Sequence, residues 1–77
     1  GSTISHDTVL GDFVTVSPGV TICGNCEIGD GVFLGAGATI IEQIRIAPGI
    51  VVGAGATVVR DLTVPGTYVG TPARRKE

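Results

Sequence analysis

A six-residue repeat of aliphatic side chains runs through most of the chain and constrains its fold more than any other feature. Counting from Ile4 in steps of six, every position up to Val64 holds Ile, Leu or Val. A second class of mostly small or β-branched residues recurs four positions later, from Thr8 to Leu62. Because side chains alternate along a strand, both classes can share one interior. A short fixed period of this kind is typical of solenoids, in which each repeat stacks on the next.

Turn residues lie between the aliphatic positions and divide the chain into short strands and sharp corners. Glycine, Asn and Asp suit the positive φ angles that such corners need, and the chain has 13 glycines. Three six-residue units close a triangular coil of about eighteen residues. The sequence therefore predicts an all-β fold, a parallel β-helix of about four triangular coils. The corner pairs are Pro18-Gly19, Asp30-Gly31, Ala36-Gly37, Pro48-Gly49 and Ala54-Gly55.

The length of 77 residues predicts a single domain over residues 1–77. We expect the coils to occupy about residues 4–69 and a basic C-terminal tail to follow over residues 70–77. A chain of this size is close to the limit at which one core is stable without help. Burial of about eleven aliphatic side chains at roughly 1.5 to 3 kcal/mol each leaves a lone prism marginal against about 1 to 2 kcal/mol of backbone entropy per ordered residue, so we expect self-association to supply that help.

Charge and hydropathy exclude several classes of partner. The formal net charge is -2 and only five residues are Lys or Arg, which argues against the basic stripe of a nucleic-acid-binding surface. No apolar run approaches the roughly 20 residues of a membrane span, and no signal-peptide pattern opens the chain. We therefore expect a cytoplasmic protein with neither a nucleic-acid nor a membrane partner.

Both cysteines lie in a C-x-x-C spacing, Cys23 and Cys26, which elsewhere indicates a redox dithiol or half of a zinc site. Here Cys26 falls in the small inward class, whereas Cys23 directly follows the inward Ile22 and faces outward. The two sulfurs should then lie on opposite sides of the wall of the helix. We predict that Cys26 is a small apolar core residue and that no metal binds there.

Residues one coil apart form a polar column that contains the only imidazole, His6. Histidine is the one side chain that exchanges protons near neutral pH at its unperturbed pKa. One coil along lies Gly24, which lacks a side chain and so leaves room for a substrate and an uncovered backbone N–H. Asp7 is a candidate to orient the imidazole. The same position also suits an ordinary surface histidine.

Two stretches of the sequence resemble a known family. "STISHDTVLGDFVTVSPGVTICGNCEIGDGVFLGAGATI" and the closing "VPGTYVGTPARR" are similar to the C-terminal domain of hexapeptide-repeat acyltransferases, namely sialic-acid O-acetyltransferases and nucleotide-amino-sugar N-acetyltransferases. The resemblance implies a left-handed β-helix, a homotrimer and acetyl-CoA as co-substrate. It also implies transfer of an acetyl group to an amine or hydroxyl of a sugar or sugar nucleotide. The N-terminal domain with which family enzymes bind the sugar nucleotide has no counterpart in this sequence.

The resemblance further implies roles for particular residues. The histidine of the H-D pair, His6, would be the general base, and the Gly24 amide would hold the thioester oxygen. Amides at the later Gly-Ala corners would bind the pantetheine arm of CoA, and basic residues of the closing segment would lie near its phosphates. The amides map onto Ala36 and Ala54, and the basic residues map onto Arg74 and Arg75.

Two other classes of function are consistent with parts of the sequence. A γ-type carbonic anhydrase shares this fold but needs several histidines on zinc, which a single His6 does not supply in that pattern. A non-catalytic scaffold or trimerisation module remains open, because a regular β-helix is stable without catalysing anything. The acceptor is also open, since one base can serve an amine or a hydroxyl.

Overall fold

A computed structural model describes residues 1–76, which form twelve short β-strands joined by turns. Each strand has two residues except β11, which has three, because turn residues follow closely on every inward aliphatic position. No helix among these residues is long and apolar enough to cross a bilayer. The strands are β1 (Thr3–Ile4), β2 (Val9–Leu10), β3 (Thr15–Val16), β4 (Thr21–Ile22), β5 (Glu27–Ile28), β6 (Phe33–Leu34), β7 (Thr39–Ile40), β8 (Arg45–Ile46), β9 (Val51–Val52), β10 (Thr57–Val58), β11 (Thr67–Val69) and β12 (Arg74–Arg75).

The strands form three sheets, which are the three sides of a prism. Sheet 1 has the order β1-β4-β7-β10, sheet 2 the order β2-β5-β8, and sheet 3 the order β12-β11-β9-β6-β3. Every third strand pairs in parallel, so that Ile4 lies beside Ile22 and Ile22 beside Ile40. The predicted all-β parallel β-helix of about four coils is therefore confirmed.

Three edges, each a row of stacked corners, join the sheets. The first edge, between sheets 1 and 2, holds residues 5–8, 23–26, 41–44 and 59–61. The second edge, between sheets 2 and 3, holds residues 11–14, 29–32 and 47–50. The third edge, between sheets 3 and 1, holds residues 17–20, 35–38 and 53–56.

The core is a stack of aliphatic side chains inside the prism. Both inward classes predicted from the repeat contribute to it, and each fully buried Val, Leu or Ile stabilises the fold by about 1.5 to 3 kcal/mol. The stack is continuous because strands one coil apart hold equivalent side chains in register. Fully buried members are Val20, Ile22, Cys26, Val32, Leu34, Ala38, Ile40, Ile50, Val52, Ala56 and Val58.

The first coil leaves the core partly open. Ile4 and Leu10 are inward residues of the repeat, yet 44% and 38% of their surfaces are exposed. Each has a stacked neighbour on one side only, Ile22 for Ile4 and Ile28 for Leu10. Ile4 and Leu10 therefore stack on inward residues, as the repeat predicts. They are less buried than the equivalent residues of coils that are covered on both sides.

The last coil is two residues shorter than the others, and here the predicted repeat fails. Ile46 bridges to Leu62, and Val52 pairs with Tyr68. Val64, the final position of the six-residue count, is therefore displaced from the core and is 49% exposed. Tyr68 covers this end of the core instead, and its hydroxyl donates a hydrogen bond to the Val64 carbonyl at 2.6 Å.

The expected basic tail contributes an additional strand to sheet 3. β12 pairs antiparallel with β11, with Val69 opposite Arg74 and Tyr68 opposite Arg75. The Lys76 N–H donates to the Thr67 carbonyl at 2.6 Å, which extends this pairing by one residue. The closing residues therefore form a hairpin on sheet 3 as far as residue 76, and Glu77 lies outside the described residues.

Corner residues have left-handed backbone geometry, as predicted from the Gly, Asn and Asp pairs. On the first edge Asp7, Asn25 and Gln43 have φ angles of 62°, 61° and 61°. On the second edge Gly31 has a φ of 69°, but Phe13 occupies the corresponding position one coil earlier with a φ of 60°. An aromatic residue is a clear exception in this region of φ/ψ space.

Candidate functional site

The first edge places His6 directly against Gly24, as the column of residues predicts. The Asn25 N–H donates a hydrogen bond to the His6 carbonyl at 3.4 Å, and the Gln43 N–H donates to the Gly24 carbonyl at 3.0 Å. These bonds continue the stacking of coils through the edge, where no strand is present. His6 and Gly24 therefore lie one coil apart on the same edge of the prism.

Both residues are open to a ligand from outside. His6 is exposed and Gly24 is half-buried. A Cβ atom added at Gly24 would have only the His6 carbonyl oxygen nearby, at 3.5 Å. The Gly24 N–H donates no hydrogen bond to any acceptor among residues 1–76. An imidazole with an uncovered amide one coil away is the arrangement that general-base chemistry on a carbonyl compound requires.

Asp7, the candidate to orient the imidazole, follows His6 at a corner of the first edge. Its backbone is left-handed, with φ of 62°, and its side chain is exposed. No ion pair joins it to His6 within the described chain. A bond beside the pair, from the Thr8 hydroxyl to the Cys23 carbonyl at 3.3 Å, fixes the edge locally. The role of Asp7 stays a prediction.

The predicted pantetheine contacts lie on the third edge, separated from His6 by the whole width of sheet 1. Ala36 and Ala54 are exposed. The amides that follow them are used within the fold, since Gly37 N–H donates to the Pro18 carbonyl and Gly55 N–H to the Ala36 carbonyl. The N–H groups of Ala36 and Ala54 themselves have no acceptor among residues 1–76. Their role in binding the pantetheine arm stays a prediction.

Arg74 and Arg75 lie on β12, at the C-terminal end of the prism. They line a hollow of about 500 Å³ together with Arg60, Asp61 and Tyr68. In the sequence Arg60 falls in the column of His6, three coils further along, so the repeat alone does not group it with the closing arginines. The last coil is two residues shorter than the strict repeat predicts. This shortening brings the basic residues to one hollow.

The two cysteines form no disulfide. Both are free, with Cys26 fully buried and Cys23 half-buried. The Cys26 thiol donates a hydrogen bond to the Ile41 carbonyl at 3.0 Å. Among residues 1–76 no group of three or more His, Cys, Asp or Glu side chains is arranged to hold a metal ion. The expectation that Cys26 belongs to the core is confirmed.

This geometry predicts a large difference in thiol reactivity. Burial raises the pKa of the Cys26 thiol above its usual value, so the reactive thiolate is scarce as well as inaccessible. We expect one thiol per chain to react quickly with Ellman's reagent in the native protein and the second only in denaturant. Cys23→Ser should abolish the fast phase, whereas a fast phase of two thiols would place Cys26 at the surface.

Comparison with known proteins assigns the fold to a family. The bacterial transferase hexapeptide family (six repeats) matches residues 7–42 and again residues 25–60. No curated protein matches the chain significantly.

Solved structures provide closer comparisons. The acetyltransferase domain of PglB from Neisseria gonorrhoeae is 37% identical with a TM-score of 0.95, over 97% of this chain and 37% of that one. It has also been solved in complex with acetyl coenzyme A, with a TM-score of 0.94. Soybean serine acetyltransferase is 40% identical with a TM-score of 0.90, over 96% of this chain and 34% of that one.

A more distant structure contains both a cofactor and a sugar nucleotide. A variant of GDP-perosamine N-acetyltransferase from Caulobacter crescentus, in complex with CoA and GDP-perosamine, is 26% identical with a TM-score of 0.66. The match covers 99% of this chain and 53% of that one. The chain thus spans about a third to a half of the length of these structures. With its left-handed parallel β-helix and its six-residue repeats, the chain belongs to the bacterial transferase hexapeptide family.

Proposed function

We propose that this chain is the acyl-transfer part of an acetyl-CoA-dependent acetyltransferase that acts on an amine or hydroxyl of a sugar or sugar nucleotide. The similar structures support this proposal, since they are acetyltransferases and one of them holds acetyl coenzyme A. The structure with GDP-perosamine supports a sugar nucleotide as the acceptor. The non-catalytic scaffold is the alternative.

One observation carries the proposal: the exposed imidazole of His6 lies one coil from the free N–H of Gly24. The acceptor nitrogen or oxygen attacks the thioester carbonyl carbon, and His6 takes the proton that the acceptor loses. The carbonyl oxygen becomes an oxyanion that the Gly24 N–H stabilises. When the intermediate collapses, the carbon–sulfur bond breaks, and CoA leaves as a thiolate that takes the proton from His6.

The two groups supply effects of known size. A positioned general base accelerates a reaction by about a hundred- to ten-thousand-fold. A single oxyanion donor contributes very roughly 3 kcal/mol. Asp7 is proposed to stabilise the imidazolium that forms when His6 holds the proton. This requires its exposed carboxylate to turn towards the ring when substrate is bound.

Acetyl-CoA is proposed to bind between protomers of a homotrimer. The free amides of Ala36 and Ala54 would hold the pantetheine arm, and Arg74 and Arg75 would neutralise its phosphates. These amides lie on a different edge from His6. One cofactor can therefore contact both only if the two edges face each other across a groove. A neighbouring protomer provides the second edge, which is the physical reason for expecting an oligomer.

Calorimetric titration with acetyl-CoA tests the proposal. We expect saturable binding that CoA competes for, whereas a scaffold should bind neither ligand even at millimolar concentration. Ala54→Pro offers a sharp variant, because it deletes one free N–H without removing a hydrogen bond of the fold. Proline fits such a position, since Pro48 already stacks on Gly29 at the second edge.

The variant should weaken acetyl-CoA binding about three- to tenfold, the effect of losing one hydrogen bond. Its circular dichroism spectrum and melting temperature should stay close to those of the wild type. Unchanged affinity in a folded Ala54→Pro protein would remove that amide from the proposed cofactor site.

A further inference from the structure

Basic side chains are concentrated around the hollow at the C-terminal end of the prism. The protein has only five Lys or Arg residues and a formal net charge of -2. Three of its arginines, Arg60, Arg74 and Arg75, line this hollow of about 500 Å³, and Asp61 is the acidic residue beside them. Because three cations face one carboxylate, the hollow is positive in a molecule that is negative overall. Such a local excess of positive charge favours an anionic ligand.

The arginines of the hollow have no carboxylate partner in the part of the chain that the structure describes. All three are exposed, and none forms an ion pair with a residue among 1–76. Asp61 is engaged elsewhere, since its Oδ1 accepts the backbone N–H of Arg45 at 2.9 Å. That bond fixes the corner from which the Arg60 side chain projects, and it leaves the guanidinium groups facing solvent.

The strand that carries the closing arginines is held firmly against the prism. The Ala73 N–H donates a hydrogen bond to the Thr57 carbonyl at 2.8 Å, just before β12 begins. The Arg75 side chain then lies over Gly66, where an added Cβ atom would be 2.8 Å from its Nε. Since Gly66 has no side chain, it leaves the space that Arg75 occupies. The backbone therefore positions these cations before any ligand binds.

Apolar side chains form the floor of the same hollow. Leu62, Tyr68 and Ala73 line it although they are buried in the fold. A site with an apolar floor and guanidinium groups around it suits a ligand that has both a ring system and phosphates, because arginine is the preferred partner of phosphate and apolar surface packs against rings. This combination is the chemistry of a nucleotide.

Arg60 also has a defined relation to the candidate catalytic residues. It lies on the first edge, in the column of His6 and three coils further along. Coils are about 4.8 Å apart, so this separation is about 14 Å along the edge. The pantetheine arm of CoA has about thirteen bonds between its sulfur and its first phosphorus, which span about 15 Å when extended like a peptide chain. A thioester beside His6 therefore brings the diphosphate of CoA to Arg60.

We propose that Arg60 binds the diphosphate of CoA, and that the hollow selects a thioester donor that carries a nucleotide. This inference rests on the proposed function, because it takes acetyl-CoA as the donor. A pantetheine arm is also present in other thioesters, such as those of carrier proteins. The amides of Ala36 and Ala54 would contact the arm alone and cannot distinguish these donors. Contacts with the nucleotide end supply that distinction.

A sugar nucleotide also contains a diphosphate, and the charge of the hollow favours CoA over it. CoA has a 3′-phosphate in addition, and a phosphate monoester carries a charge of about -1.5 to -2 at pH 7. The nucleotide end of CoA then carries about -4 in total, against about -2 for a sugar nucleotide. Three arginines match the larger charge better, because each can form charge-assisted hydrogen bonds with a separate phosphate group.

Calorimetric titration with acetyl-CoA and with S-acetyl-pantetheine tests the role of Arg60. Arg60→Gln should raise the dissociation constant of acetyl-CoA about tenfold, the effect of losing a charge-assisted hydrogen bond. The weaker binding of S-acetyl-pantetheine should not change, because that ligand has no phosphate. Arg45→Gln is the matched control, since it removes the same charge from an exposed arginine outside the hollow, and it should leave both dissociation constants unchanged.

Two results would overturn the role of Arg60. One is an acetyl-CoA affinity in Arg60→Gln equal to that of the wild type. The other is an equal loss of affinity for both ligands in a variant whose circular dichroism spectrum is that of the folded protein, since a contact with phosphate cannot weaken a ligand that has none.

Nucleotides without the arm separate failure of this inference from failure of the proposed function. 3′,5′-ADP contains the 3′-phosphate of CoA and one phosphate of its diphosphate. It should bind the wild type, compete with acetyl-CoA and bind Arg60→Gln about tenfold more weakly. If the wild type binds acetyl-CoA but not 3′,5′-ADP, selection by the nucleotide is overturned and the acetyltransferase stands.

Two further outcomes complete the test. Binding of 3′,5′-ADP that depends on Arg60, in a protein that does not bind acetyl-CoA, would contradict the proposed function and support a phosphate site at Arg60. Tighter binding of UDP or GDP than of 3′,5′-ADP would assign the hollow to the acceptor and overturn the inference.

Discussion

His6→Ala is expected to lower kcat by at least a hundredfold in an acetyl-transfer assay. The chain contains no second imidazole, so no other residue takes over proton transfer near neutral pH. A hundredfold loss corresponds to about 2.7 kcal/mol of transition-state stabilisation. Because the His6 side chain is exposed and lies outside the core, the variant should keep its fold and the proposed trimer. Release of CoA in the presence of a panel of amino sugars and sugar nucleotides measures the effect.

Glu42 provides the matched control for that experiment. It occupies the same column as His6 and Gly24, one coil further along, and it is also exposed. Glu42→Ala should therefore turn over within a few-fold of the wild type. If His6→Ala were as active as Glu42→Ala, the imidazole would be an ordinary surface group, and the proposed chemistry would lose its base.

The six-residue repeat predicted most of the fold because a β-helix has one local rule. Side chains at every sixth position point inward, and a stacked neighbour one coil away completes their burial, as Ile22 and Ile40 show. The rule fails where a coil has a different length. Nothing in the spacing of Val58 and Val64 reveals that the last coil is two residues short, so the repeat places Val64 in the core and Arg60 apart from Arg74.

The candidate site was predictable only in pieces. The column through His6 and Gly24 follows from the coil length, since it needs no information beyond residues stacked one coil apart. The relation between this column and Ala54 depends on how chains assemble, and no repeat within one chain encodes that directly.

Gly35→Ala is expected to have the largest effect on stability, about 2 to 3 kcal/mol of destabilisation. A Cβ atom there would lie 2.6 Å from the Ala54 nitrogen, 2.8 Å from the Gly53 carbonyl carbon and 2.9 Å from the Val52 carbonyl oxygen. All three are backbone atoms of the next coil, so relief requires that the two coils separate. For a domain of this size such a loss lowers the melting temperature by about 10 to 20 °C. Thermal unfolding followed by circular dichroism measures it.

Gly24→Ala is the control that distinguishes crowding from a general intolerance of alanine at the corners. Its added Cβ would meet only the His6 carbonyl oxygen, at the ordinary contact distance of 3.5 Å. We therefore expect Gly24→Ala to unfold within a few degrees of the wild type while losing acetyl transfer, because the methyl group fills the space beside the oxyanion donor. Equal melting temperatures for Gly35→Ala and the wild type would mean that the coils are spaced more loosely than this structure requires. Loss of stability in both variants would instead mean that the open space beside His6 is filled in solution.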